Sequence, residues 1–149
     1  MAERILVHRA NSWRQAEQIL ADGKLGVNKD MYGTGAWTCS DEDLWVGGPV
    51  QFKVRVTYQR EGDFLELPKA QMAWSTVGTP EAVDAVLDTE GIDVVIRGAP
   101  DYKVRQTAQV EIIGYRRLEP AHGQWHSLAW SEQESRKAAL SRVREWQID

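Results

Sequence analysis

Two glycines flanked by aromatic residues form the part of the sequence best suited to hold a flat ligand. Gly33 and Gly35 lie one residue apart in the segment 31–39, MYGTGAWTC, between Tyr32 and Trp37. Glycine lets the backbone adopt positive φ or pass close to a ligand, and an aromatic side chain offers a surface on which another ring can stack. The alternative is a tight turn leading into a strand, in which both rings are ordinary packing residues.

A histidine before this segment and an aspartate after it would complete a site. His8 follows the apolar run 4–7, and Asp101 directly precedes the predicted strand 102–106. Each has a simpler explanation on its own: a hydrogen-bonded structural histidine, and a turn-forming aspartate after Pro100. The order of the three elements, histidine, then G-x-G-x-aromatic, then an acid before a strand, favours a common site.

The elements that would position these residues alternate between strand and helix patterns. Regular alternation of apolar and polar residues over 50–58 is the clearest strand signal. Further strands are predicted at 4–7, which places His8 at a strand end, and at 64–67, 93–96, 102–106 and 109–118. The segment 71–78 is predicted to be a loop.

Three helices are predicted from their capping residues. The first begins at Ser12, which has capping-box spacing to Gln15, and ends at Gly23. The second begins at Thr79-Pro80 and ends at Gly91. In the third, a capping-box spacing starts at Ser131, and one apolar face is formed by Ala139, Leu140, Val143 and Trp146.

Composition limits the functional classes. A length of 149 residues is most simply one domain with a real core. A formal net charge of −4 argues against an overall nucleic-acid-binding surface. Cys39 is the single cysteine, so an internal disulfide and a thiolate metal site are excluded, and we expect no metal. No signal peptide or membrane span is evident, which favours a cytoplasmic protein without membrane partners.

Three segments together resemble the ADP-ribosyltransferase fold of the diphtheria-toxin and poly(ADP-ribose) polymerase kind. That family carries a histidine on its first strand, a segment like Tyr-Gly-x-Gly-x-Tyr, and a glutamate before a strand of the pattern Glu-Tyr-x-Val. The corresponding segments here are HRANS at 8–12, YGTGAW at 32–37 and DYKVRQTAQV at 101–110. The resemblance spans about residues 4 to 118. It implies an α+β fold, a split antiparallel β-sheet with flanking helices and a C-terminal helix.

The resemblance also implies a site for NAD as co-substrate, in the cleft between the sheet halves. By its analogy the catalytic residues are Asp101, His8 and Trp37: the acid stabilises positive charge, the histidine anchors a ribose, and the aromatic ring stacks on nicotinamide. The cofactor-binding residues that it implies are His8, Arg9, Ser12, Tyr32, Gly33, Gly35, Trp37 and Tyr102.

Three positions depart from the family pattern. Trp37 replaces a tyrosine, keeping the stacking surface and losing the hydroxyl. Asp101 replaces a glutamate and is shorter by one carbon–carbon bond, about 1.5 Å. Similar-sized rifamycin ADP-ribosyltransferases also use aspartate there. Arg9 stands where the family has a glycine, and its guanidinium suits the NAD pyrophosphate.

The functional expectation is therefore transfer of ADP-ribose from NAD to a protein, nucleic-acid or small-molecule acceptor. The alternatives are an NAD glycohydrolase and a catalytically silent ADP-ribosyltransferase-like binding module. Residues 1–120 would form the ADP-ribosyltransferase-like domain. Residues 121–149 would form a Trp-rich helical extension, packed on the same domain or presented to a protein partner.

Overall fold

A computed structural model describes residues 1–42, 48–121, 124–127, 131–132 and 135–148, with the backbone alone described for 119–121, 124–127 and 131–132. Trp45, Trp130 and the side chain of Trp125 lie outside these described residues. Within them, the strands are β1 Ala2–Ala10, β2 Asn28–Asp30, β3 Gly33–Cys39, β4 Val50–Tyr58, β5 Glu61–Asp63, β6 Val94–Gly98, β7 Asp101–Val104, β8 Gln109–Ala121, β9 Gln124–Ser127 and β10 Ser131–Glu132. The helices are α1 Trp13–Asp22, α2 Pro68–Val77, α3 Pro80–Glu90 and α4 Arg136–Trp146, with a 3-10 turn at Phe64–Glu66.

Eight of the strands follow one another in a single sheet in the order β10-β8-β4-β1-β3-β7-β6-β5, while β2 pairs with β3 and β9 with β8. The pair β5 and β6 is parallel, and the other described pairs are antiparallel. The α+β class is therefore confirmed. The sheet is mixed and not purely antiparallel as predicted.

The strand pairing becomes much shorter at the middle of the sheet. Strands β1 and β4 pair along their whole length, from Ala2 opposite Tyr58 to Ala10 opposite Val50. In contrast, β1 and β3 pair at a single described position, Val7 opposite Cys39. The two strands therefore separate beyond this pair, and the sheet opens beside His8.

Each face of the sheet is covered by its own helices. Residues of α1 and α4 pack against β1, β4, β6 and β7 in one cluster, the α1/α4 core, which contains Ile19, Phe52 and Val143. Residues of α2 and α3 pack on the opposite face in a second cluster, the α2/α3 core. Successive residues of β6 belong to different cores, Val94 to the first and Val95 to the second. This alternation is expected for a strand that is buried on both faces.

Two predicted elements between β4 and α3 are wrong. The predicted strand 64–67 is a 3-10 turn, because the Asp63 carboxylate accepts a hydrogen bond from the Leu65 amide at 3.0 Å and caps the turn. The predicted loop 71–78 is most of α2. Pro68 occupies the first turn of α2, where its missing N–H is tolerated, so it begins this helix.

The predicted ends of α1 and α3 are confirmed. Ser12 caps α1 by accepting from the Gln15 amide, and Thr79 caps α3 in the same way. Gly23 and Gly91 follow these helices with φ of 70° and 68°. This left-handed conformation favours glycine.

Two expected boundaries shift. His8 lies inside β1 and not at its end, because pairing with β4 continues to residue 10. Ser131 is part of β10, and the N-cap of α4 is Ser135. The remainder of the expected capping segment, 133–134, lies outside the described residues. Among the described helices, none is long and apolar enough to cross a membrane.

Candidate functional site

His8 lies at the point where β1 and β3 separate. Its side chain is buried, with 5% of its surface exposed, and its Nδ1 is 2.7 Å from the carbonyl oxygen of Trp37. Burial lowers the pKa of His8, and this effect exceeds the opposing effect of the Trp37 carbonyl. The neutral ring therefore carries its proton on Nδ1 and donates it to this carbonyl. The Nε2 atom, which is left as an acceptor, is buried without a hydrogen-bond partner among the described residues.

Trp37 is held by two charged side chains that the sequence did not identify. Its indole Nε1 donates to the Oδ2 atom of Asp30 at 2.9 Å. The Nζ atom of Lys103, the residue paired with Trp37 across β3 and β7, lies 5.1 Å from the centre of the indole ring. Lys103 has no exposed side-chain surface, and its Nζ donates to Asp30 Oδ1 and to the Gly33 carbonyl, each at 2.7 Å. Burial lowers the pKa of Lys103, and Asp30 opposes this change.

Tyr32 and Trp37, the two aromatic residues that flank the glycines, contact each other and form an aromatic pair. Their ring centres are 5.3 Å apart with an interplanar angle of 82°, an edge-to-face contact. The guanidinium of Arg97 lies 5.9 Å from the centre of the Tyr32 ring and 5.8 Å from that of Trp37. Both distances fall within the range of cation–π contacts. The pair therefore already accommodates a planar cation.

Asp101 begins β7 beside the same opening of the sheet. It is half-buried and lies opposite Cys39, which in turn lies opposite Val7 of β1. Burial raises the pKa of the Cys39 thiol, and the Asp101 carboxylate adds to this effect. Val7, Cys39 and Asp101 are therefore neighbours in one row across β1, β3 and β7.

The strand registers determine which predicted side chains share a face. Trp37 and Cys39 are two residues apart on β3 and point to one face, together with their partners Lys103 and Asp101. Arg9 is two residues from Val7 and lies on this face as well. His8 alternates to the opposite face, and its ring contacts Trp37 through the Trp37 backbone.

Gly33 and Gly35 are required by packing within the protein. Gly33 has a φ of 87°, and a Cβ atom there would collide with the Asp84 carboxylate. A Cβ atom at Gly35 would lie 2.6 Å from the backbone oxygen of Val104. The described structure therefore accounts for both glycines without a ligand, as the turn-and-strand interpretation requires.

Two other predicted cofactor-binding residues have structural partners. The exposed Ser12 caps α1 with its hydroxyl. Tyr102 is buried in the α1/α4 core, where the guanidinium of Arg4 lies 4.6 Å from its ring centre. The Tyr102 ring therefore offers no stacking surface on the Trp37 side of the sheet.

A separate cavity of about 750 Å³ opens at the far ends of α1 and β7. Its wall includes residues 22–25, 104–106 and Arg136. His8, Trp37 and Asp101 are not among its described lining residues. A cavity of this kind is often a ligand-binding site, but the unpartnered Nε2 of His8 and the aromatic pair lie outside it.

The sequence contains a partial signal for Lys103 and Asp30, the two site residues that it did not identify. Lys103 is a charged residue between the aromatic Tyr102 and the apolar Val104, and Asp30 directly precedes the segment 31–39. Among the described residues, no group of three or more His, Cys, Asp and Glu side chains is placed to hold a metal ion. Comparison with family models, curated proteins and solved structures gave no match.

Proposed function

We propose that this protein binds NAD where β1 and β3 separate and transfers its ADP-ribose to an acceptor. The observation that carries the proposal is the state of His8. Its Nδ1 is used by the Trp37 carbonyl, and its buried Nε2 has no partner among the described residues. A buried acceptor of this kind is costly unless a ligand donor satisfies it. His8 lies on the face opposite Trp37 and Asp101, so the donor would be a ribose hydroxyl that enters the opening between β1 and β3.

The aromatic pair supports nicotinamide as the second contact. The nicotinamide ring of NAD is flat and positively charged, and a cation over an aromatic face contributes roughly 0.5–2 kcal/mol. The guanidinium of Arg97 lies within 5.9 Å of both ring centres. Nicotinamide would displace Arg97 from this surface and replace one planar cation by another.

Asp101 supplies the negative charge that cleavage of NAD requires. Its side chain shares a face of the sheet with Trp37 and Arg9. When the bond between ribose and nicotinamide breaks, nicotinamide leaves with the bonding electron pair and the ribose becomes cation-like. The fixed carboxylate stabilises this charge. An acceptor then attacks the same ribose carbon and releases a proton.

Measuring nicotinamide release from NAD tests the proposal. We expect release by the parent protein and a loss of about 100- to 1,000-fold in Asp101→Asn, the range for removing one preorganised electrostatic contact. Asp101→Glu is the matched control, because it retains the charge and has the length found in the family that this chain resembles. Equal release by the parent and Asp101→Asn would show that Asp101 is not the catalytic acid.

Two further measurements separate the alternatives. Labelled NAD that leaves its label on a macromolecule or small molecule indicates transfer, whereas free ADP-ribose as the sole product indicates a glycohydrolase. A silent binding module is the second candidate, because Arg97 already occupies the surface on which nicotinamide would stack. Saturable NAD binding without nicotinamide release would identify that module.

A further inference from the structure

The indole ring of Trp37 is restrained by three neighbouring side chains. Its edge is fixed by the hydrogen bond from Nε1 to Asp30, and the Lys103 ammonium lies 5.1 Å from its centre. Tyr32 contacts it edge to face. A half-buried aromatic residue on a strand would ordinarily retain freedom about its second side-chain torsion.

Lys103 and Asp30 act as one unit. The Lys103 ammonium has three N–H groups, and two donate to Asp30 Oδ1 and to the Gly33 carbonyl at 2.7 Å. The third can point toward the indole face. Asp30 Oδ1 also accepts from the Tyr32 amide at 2.9 Å. One carboxylate thus connects the buried cation, the indole and the backbone that presents the second ring.

The charges explain why this unit is stable where it lies. A lysine with no exposed side-chain surface requires an ionic partner, and Asp30 is that partner at 2.7 Å. Asp30 is itself 34% exposed, so water satisfies part of the carboxylate. Removing Asp30 would free the indole N–H, and removing Lys103 would leave Asp30 without its ionic partner.

We propose that Lys103 and Asp30 are positioning residues that lock the Trp37 ring in the orientation used to stack on nicotinamide. This inference rests on the proposed function for the identity of the ligand. It also accounts for tryptophan at this position, because the Nε1–H group that Asp30 holds is absent from tyrosine.

Exchange of the Trp37 indole proton tests the positioning without NAD. The indole resonances of ¹⁵N-labelled protein are assigned with Trp37→Phe. We expect the Trp37 indole proton to exchange with solvent at least about tenfold faster in Asp30→Ala, which removes its hydrogen-bond acceptor, and faster than in the parent by a smaller factor in Lys103→Met, which removes the ionic partner of Asp30. Lys69→Met, an exposed lysine on α2, should leave the rate unchanged. Unchanged exchange in Asp30→Ala and Lys103→Met would overturn the proposal.

The NAD dependence of nicotinamide release tests the consequence for the ligand. We expect Asp30→Ala to raise KM for NAD about tenfold with a smaller change in kcat, because a mobile ring stacks less often. Asp30→Asn keeps the shape of the side chain and an acceptor for the indole, so it should raise KM less than Asp30→Ala does. It is the control for variants that lose activity because they fail to fold.

A double-substitution cycle separates ring positioning from a general loss of structure. In a Trp37→Phe background no indole N–H remains, so adding Asp30→Ala should raise KM by a smaller factor than it does in the parent. Additive effects on KM would overturn the proposal. If the parent releases no nicotinamide and binds no NAD, the proposed function fails, while the exchange rates still decide whether Lys103 and Asp30 position the ring.

Discussion

The imidazole of His8 is stable in its place only while it is neutral. Its surface is 5% exposed, and a protonated ring there would carry a second N–H, on Nε2, with no acceptor among the described residues. Burial accordingly lowers the pKa of this histidine below its ordinary value. The contribution of His8 to the free energy of unfolding therefore depends on pH, in a range where few other side chains titrate.

We expect the free energy of unfolding to fall as pH decreases from 7.5 to 5.5. Unfolded His8 takes up a proton near its usual pKa of about 6.5, while the folded form, with its lowered pKa, resists protonation. The unfolded state then binds more protons, so stability rises with pH and is lost on acidification, by up to about 1.4 kcal/mol per pH unit. Urea unfolding at several pH values measures this slope.

His8→Asn is the control for this pH dependence. Asparagine keeps an N–H donor for the Trp37 carbonyl and does not titrate, so its slope should be smaller than that of the parent. Parallel pH profiles for the two proteins would show that His8 is not the titrating group. Other carboxylates with lowered pKa, such as Glu61 beside Arg4, lose their contribution at lower pH, outside this window.

Residue-scale prediction from the sequence succeeded where residue type and spacing were sufficient. The capping roles of Ser12 and Thr79 follow from local chemistry. The buried ion pair of Lys103 with Asp30 does not, because these residues are 73 positions apart and only the sheet register brings them together. A lysine in a predicted strand is expected at the surface.

At the scale of elements, β3 depends on how α3 approaches it. The Asp84 carboxylate of α3 accepts from the Thr34 amide at 2.8 Å and from the Thr34 hydroxyl at 2.6 Å. Gly33 makes this approach possible, because any Cβ atom there would occupy the position of the carboxylate. The glycine, the hydroxyl and the carboxylate together fix the start of the strand that carries Trp37.

Gly33→Ala should destabilise the protein more than Gly91→Ala. The backbone φ is 87° at Gly33 and 68° at Gly91, so each substitution costs about 1–2 kcal/mol for the left-handed backbone. A Cβ atom at Gly91 meets nothing within 4 Å, whereas one at Gly33 displaces Asp84 from Thr34. We expect an additional loss of about 2 kcal/mol at Gly33, the size of a hydrogen bond to a charged group.

Denaturant unfolding of both glycine variants gives the comparison directly. Equal losses of stability would mean that Asp84 moves aside without cost and that β3 does not depend on this contact. A larger loss for Gly33→Ala would identify the contact as a determinant of the strand that presents the aromatic pair.

Helix α2 shows why some elements escape sequence reasoning. Its apolar residues Met72 and Val77 are 67% and 61% exposed, and Ala70 is its one fully buried residue. Ala70, Ala73 and Trp74 face the α2/α3 core, but the exposed Met72 and Val77 add apolar residues on other sides of the helix, and these obscure its helical period in the sequence. Helices α1 and α3, whose apolar residues do face a core, were predicted with their ends.

At the scale of the whole molecule, two cores hold the two parts of the sheet from opposite sides. The α1/α4 core lies behind His8, and the α2/α3 core lies beside Tyr32. Between them β1 and β3 share one paired position, so relatively few backbone bonds join the parts. The overall class followed from alternating strand and helix patterns. The strand order did not, because only Gln59 and Arg60 separate β4 from β5, and so short a connection gives no local sign that β5 lies at the opposite edge of the sheet.

Helix α4 belongs to this architecture through specific contacts with α1. Arg136 donates from Nη1 to the carbonyls of Leu20 and Ala21 at the end of α1, each at 3.0 Å. Arg144 pairs with Glu17 at 2.8 Å. The Trp146 ring lies 5.6 Å from that of Tyr115. These contacts favour a stabilising role for the helix over presentation to a partner.

Val143→Ala should therefore destabilise the protein by about 2 kcal/mol, because Val143 is fully buried in the α1/α4 core and loses two methyl groups. Lys137→Ala, on the exposed side of the same helix, should change stability by less than about 0.5 kcal/mol. Deleting 135–149 should abolish cooperative thermal unfolding measured by circular dichroism. A cooperative transition in the truncated chain, with Val143→Ala as stable as the parent, would instead make α4 an accessory segment available to a partner.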